Sequence, residues 1–140
     1  MYQRILVPVD LNQLDVAKTA MERAKVLATL TGGVVRLVNV MSIVPFAYLE
    51  YVPADFDRLE QGRVEADLKK HAADLGLDEG RVSTAVRLGG VYHEVLAEAK
   101  DWKADLIVVG SHQPSMSTYL IGSNAAKIVR YATCSTLVVR

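Results

Sequence analysis

Two rhythms of apolar residues alternate along the chain. Short apolar runs of strand length stand at residues 5–9 (ILVPV), 34–40 (VVRLVNV), 82–88 (VSTAVRL), 106–109 (LIVV) and 136–140 (TLVVR). Between them the apolar residues recur near helical spacing. Residues 15–30 carry Val16, Ala20, Ala24, Leu27 and Leu30, and residues 57–75 carry Leu59, Val64, Leu68, Ala72 and Leu75 on a strongly charged helix. Residues 91–100 and 122–132 continue the series, while Thr31, Gly32 and Gly33 stop the first helix and Gly76 and Gly80 bracket a later turn. The pattern predicts a strand–helix unit repeated four times and closed by a fifth strand.

Strands separated by single helices run parallel, because each helix returns the chain along the sheet, and such crossovers are right-handed. The predicted fold class is therefore α/β: one doubly wound, Rossmann-like layer with helices on both faces, filling residues 1–140 as a single domain. Strands covered on both faces are apolar throughout, which suits the first and fourth runs; Ser83, Thr84 and Arg87 suit the third run to an edge. The expected order is 3-2-1-4-5, with a topological switch between the first and fourth strands. Ligands of such folds bind in the crevice outside the carboxyl ends of those strands, where Asp10 and Gly110 stand.

The connection leaving that switch is crowded with glycines and hydroxyls: Gly110, Ser111, Ser115, Ser117, Thr118, Gly122, Ser123 and Asn124. The helix that follows presents unpaired N–H groups and the positive end of its dipole to the crevice, which suits a phosphate. Gly122 permits close backbone approach, and Ser123 and Asn124 add side-chain hydrogen bonds without bulk. Ser and Asn also favour helix starts simply as caps, so position at the switch is what favours a binding role. Asp10 is ambiguous in the same way, since a carboxylate after a strand also caps helices and forms turns. His112 either donates to a phosphate or is a loop residue next to Pro114.

Composition narrows the classes. At 140 residues, 51% hydrophobic, the chain fills one core, and sixteen basic residues balance sixteen acidic ones. No basic footprint for nucleic acid or polybasic membrane segment is present, and no apolar run reaches membrane-spanning length. The first residues lack the pattern of a signal peptide, so a cytoplasmic location is expected. Cys134 is the only cysteine and reads as a small buried apolar side chain; His71 and His93 lack partners at metal-ligand spacing. Trp102 is expected to pack a turn onto the sheet. The connection at 41–56, with Phe46, Tyr48, Tyr51 and Phe56, reads as a loop packed on its own aromatic side chains, with a lid or a partner surface as alternatives.

Several stretches together resemble the universal stress protein family: "ILVPVD", "VRLVNV", "LGGVYHEVLAEA", "ADLIVVGSH" and the close "GSNAAKIVRYATCSTLVVR". Nucleotide-binding members follow the fourth strand with Gly, two residues, Gly, nine residues, Gly, then Ser or Thr, wrapping the ribose and phosphates of ATP. Here Gly110 stands at the front and Gly122–Ser123 at the back, but Gln113 replaces the second glycine and the remaining span is one residue shorter. The form "PSMSTYLIGSNAA" is similar to a subgroup with such a loop that includes ATP binders. The resemblance implies a regulatory or stress-response protein that binds ATP, with any magnesium held mainly by the phosphates. It places Asp10 near adenine and ribose beside Pro8 and Val9, Val40 on the base, and Ser111, His112, Ser117, Thr118, Gly122, Ser123 and Asn124 around the phosphates. It further implies a homodimer through the last strand, with Leu137, Val138 and Val139 at its centre.

Catalysis has little to draw on. Phosphoryl transfer needs cations at the phosphates and carboxylates for magnesium, yet Lys127 lies a full turn inside the last helix and Asp10 has no acidic neighbour. No catalytic residue is assigned. The alternatives are a slow ATPase or autophosphorylating protein, and a dimeric interaction module without nucleotide. A response-regulator receiver is not supported, because Leu11, Leu88–Gly89 and Arg140 stand where its acidic pair, phosphoacceptor and lysine belong.

Overall fold

The structure, a computed structural model, describes residues 1–43, 50–51, 55–111 and 122–140. Five strands, β1 (Arg4–Pro8), β2 (Val34–Met41), β3 (Val82–Leu88), β4 (Leu106–Gly110) and β5 (Ser135–Val139), form one parallel sheet in the order β3-β2-β1-β4-β5. Four helices connect them: α1 (Leu14–Thr31), α2 (Phe56–Asp74), α3 (Val91–Trp102) and α4 (Ser123–Tyr131). Order, parallel pairing and the edge position of β3 agree with the hydrophobic pattern, and the element boundaries shift by only a residue or two.

Alternation along the strands divides the core in two. Ile5, Val7, Val35, Leu37 and Val108 face one way and pack with α1 and α2, while Leu6, Val38, Ile107 and Val109 face the other and pack with α3 and α4. On α1 the buried stripe differs from the expected one. Ala17, Ala20, Met21, Ala24 and Ala28 are buried, whereas Leu30 is 78% exposed. Small side chains let this helix lie close on the sheet, and Leu30 falls in its last turn at the sheet's amino end. On α2, Val64, Leu68, Ala72 and the following Leu75 are buried as expected, but Leu59 in the first turn is exposed. No basic residue caps the last turn of α1 from within; Arg81 instead reaches across from a 3₁₀ turn and donates to the carbonyls of Ala28 and Gly33.

A charged layer lies between α3 and the β2–β3 side of the sheet. Glu98 is buried and accepts from Arg36 through Oε1 at 2.9 Å and from Arg87 through Oε2 at 2.8 Å. Arg87 also bonds Glu94, and its guanidinium is held above its ordinary value by the bonds to Glu98 and Glu94. Arg36 and Arg4 each stand 4.7 Å from the Trp102 ring centroid, and Arg4 Nε donates to the Trp102 carbonyl. Trp102 is thus buried against the sheet, as its sequence position predicts. The Cys134 thiol is half-buried and its pKa is pushed up by desolvation, which disfavours the reactive thiolate.

Glu98 joins two strands to α3, so its removal takes the ion-pair partner of Arg36 and one of the three partners of Arg87, both of them partly buried. Glu98→Ala is expected to lower stability by about 2–3 kcal/mol, towards the lower end for broken buried pairs because both arginines retain some solvent. Urea unfolding monitored by circular dichroism measures this, and a loss below ~0.5 kcal/mol would show the network to be inessential.

Candidate functional site

The site begins where β1 and β4 part. They pair only at Ile5–Leu106 and Leu6–Ile107, whereas β1 stays paired with β2 as far as Pro8–Val38. Alternation explains how the split leaves β1 no orphan donor. The N–H of Val9 donates to Val38 on β2 at 2.8 Å, so the N–H at position 8 would face β4, and proline removes it. On the β2 side, the buried Asn39 side chain donates through Nδ2 to the Val9 carbonyl at 2.8 Å, clamping the chain just before Asp10.

A cleft of about 360 Å3 opens at this parting. Of the residues expected from sequence, Pro8, Val9, Asp10, Val40, Gly110, Gly122, Ser123 and Asn124 all line it. Ser111 does not. It is buried, and its backbone N–H donates to the Val139 carbonyl at 2.7 Å, on the β5 side. His112, Ser117 and Thr118 lie outside the described residues, as do Gln113, Phe46 and Tyr48. Tyr51 is 77% exposed and Phe56 opens α2.

Sequence reasoning missed several lining residues. Val38, Val95, Val109 and Ile128 are all buried and give the cleft an apolar wall, while Asn12, Gln13, Asn39 and Ser42 add polar atoms. Val95 and Ile128 look like ordinary helix core in the sequence, and only the packing of α3 and α4 brings them here. Asn39 carried a signal that went unread, a carboxamide in the middle of an apolar strand.

Two expected roles change. The Asp10 carboxylate is exposed and its Oδ1 accepts the N–H of Asn12 at 2.9 Å, so Asp10 forms the turn into α1 as well as standing in the cleft. Gly110 is a glycine for packing reasons. A Cβ there would lie 2.5 Å from Val16 Cγ1 and 2.6 Å from the Val16 carbonyl oxygen, because the first turn of α1 crosses directly over the end of β4. Gly122, by contrast, caps α4 at φ −54°, ψ 152°, angles open to any residue, so its backbone requires no glycine. Close approach to the cleft, and not the backbone angles of the turn, is therefore the reason for a glycine there.

At the start of α4 the Ala126 N–H donates to the Gly122 carbonyl at 2.9 Å, which leaves the N–H groups of Ser123, Asn124 and Ala125 without intrahelical partners, and among the described residues no side chain caps them. Ser123, Asn124 and Ala125 line the same cleft as Asp10 and Asn12.

Gly110→Ala is expected to cost about 3 kcal/mol, since the added methyl meets helix backbone that has no room to withdraw. Gly62→Ala, in α2 where a Cβ meets nothing within 4 Å, serves as the control and is expected to stabilise by about 0.5–1 kcal/mol. Chemical denaturation of the two variants beside the parent gives both values.

Comparison with known proteins bears on the whole chain. Residues 1–140 match the Universal stress protein family. The chain is 36% identical over 143 residues to Universal stress protein G of Salmonella typhimurium, covering all of both. Its fold is similar to that of the universal stress protein UspA from Lactobacillus plantarum, with TM-score 0.79, 23% identity, and 99% and 98% of the two chains covered. It is also similar to a universal stress protein family protein from Arabidopsis thaliana solved with AMP bound, with TM-score 0.67 and 17% identity over 98% and 90% of the chains. A universal stress protein solved in complex with cAMP gives TM-score 0.66 and 21% identity over 99% and 97%. With a whole-length family match and a relative of this identity, the chain belongs to the universal stress protein family.

Proposed function

We propose that this protein is a regulatory stress-response protein that binds an adenine nucleotide in the cleft between the carboxyl ends of β1 and β4. The observation that carries the proposal is the convergence there of an apolar wall and open backbone donors. Val9, Val40 and Val38 suit the faces of a base, Asp10 and Asn12 suit the ribose, and the free N–H groups opening α4 suit a phosphate. The family relatives solved with AMP and with cAMP support the class of ligand. ATP, with magnesium held mainly by its phosphates, belongs to that class. Among the described lining residues Asp10 is the one carboxylate and no lysine is present, so the cleft favours binding over phosphoryl transfer.

Heat or acid denaturation of the purified protein, followed by chromatography, is expected to release adenine nucleotide. Gly122→Val should keep its fold, since its backbone angles suit valine, yet lose nucleotide affinity at least tenfold in calorimetry because the branched side chain blocks approach to the α4 donors. Parent-like affinity in a folded Gly122→Val would leave the loop a capped connection with no part in binding.

The assembly proposed with this function is a two-fold dimer along β5. That strand is an edge, and Leu137 is 38% exposed on it, an apolar side chain beside unpaired backbone groups. Val139 is buried in its own subunit's core, which moves the centre of such an interface to Leu137 and Val138. Leu137→Glu is expected to shift the protein to monomer in sedimentation at micromolar concentration, and a parent that already sediments as monomer would rule the dimer out.

A further inference from the structure

The charge lining the cleft is sparse and of one sign. Among the described residues lining it, Asp10 carries the one charged side chain, and it is negative. The described residues around it share this lack of cations, with no lysine or arginine at 8–17, 38–43, 88–99, 109–111 and 122–126, and the sequence of the connections at 44–56 and 112–121 contains none either. Two of the cations next along the chain, Lys127 and Arg87, are engaged elsewhere. Lys127 Nζ stands 4.8 Å from the Tyr92 ring centroid, and Arg87 is ion-paired with Glu94, Glu98 and Asp101. Arg140, after β5, is not part of the lining.

An anion in the cleft is therefore met by the α4 N–H groups, whose dipole is equivalent to roughly half a positive charge, and by a fixed carboxylate. A phosphate monoester already carries about −1.5 to −2 at neutral pH, and each further phosphate adds charge that no described side chain neutralises. Resting on the adenine-nucleotide reading above, we infer that the cleft selects nucleotides of low charge, adenosine monophosphate or its cyclic form, and rejects free ATP, which binds only when magnesium neutralises it. The protein then responds to the monophosphate and to magnesium-bound ATP as different ligands of one site. Gln13, exposed at the start of α1 and lining the cleft without a side-chain capping bond, is the place where one cation would change the ranking.

Calorimetric titration at pH 8, where imidazoles are neutral, with chelator present, compares adenosine, cAMP, AMP, ADP and ATP on the full chain. AMP is expected to bind at least tenfold more tightly than magnesium-free ATP, and excess magnesium should recover ATP affinity by a similar factor. Gln13→Lys should strengthen ATP binding several-fold more than AMP binding, with the fold checked by circular dichroism. Magnesium-free ATP binding as tightly as AMP, or Gln13→Lys strengthening both equally, would overturn the inference while leaving the adenine-nucleotide reading in place. Failure of every ligand in the series, adenosine included, would instead remove that reading, and this inference with it.

Discussion

The parting of β1 from β4 is the constraint on which the rest of the site depends. Two central strands of a parallel sheet would ordinarily stay paired to their ends, because every unbonded N–H in the interior is costly. Here pairing stops after Leu6 and Ile107, and Pro8 supplies the position facing β4 with no donor to lose. The opening is then held from both sides. Asn39 ties the Val9 carbonyl to β2, and Val16 presses on Gly110 so closely that no side chain fits between them. The cleft is thus a consequence of how the sheet ends.

The same geometry decides what the cleft offers a ligand. Opposite crossovers bring α1 to one face and α3 and α4 to the other, so the floor is built from both halves of the core. Its apolar wall comes from residues that also pack the helices onto the sheet, Val95 and Ile128 among them. Its polar atoms come from turns and helix starts, which carry free N–H groups by necessity. Recognition of a neutral base and a modest anion needs nothing more, whereas chemistry on a triphosphate would need charges these elements do not bring.

The ion-paired layer around Glu98 has a related effect at a distance. It holds α3 to β2 and β3 through Arg36 and Arg87, and α3 in turn brings Val91 and Val95 to the cleft. Arg87, engaged with Glu94, Glu98 and Asp101, is a strong cation that takes no part in the described lining of the cleft. Structural support and the electrostatic character of the site are coupled through this cluster of carboxylates.

Periodicity alone determined the fold, since alternating apolar runs and helical stripes admit few topologies once parallel pairing and right-handed crossovers are imposed. The polar third strand named its own edge, and position relative to the switch named Asp10, Gly110 and the start of α4 as parts of one site, to which the family resemblance added Val40. What the chain by itself left open were matters of contact between residues far apart in sequence. The stripe that α1 buries, the reason Gly110 has no side chain, the turning of Ser111 towards β5, the clamp of Asn39 on Val9 and the inward packing of Val139 each depend on a neighbour brought close only by folding. Local spacing records which face of an element is apolar; how near its neighbours come is decided by packing in three dimensions, and that distance gives Gly110, which lines the cleft, a packing reason to be glycine as well.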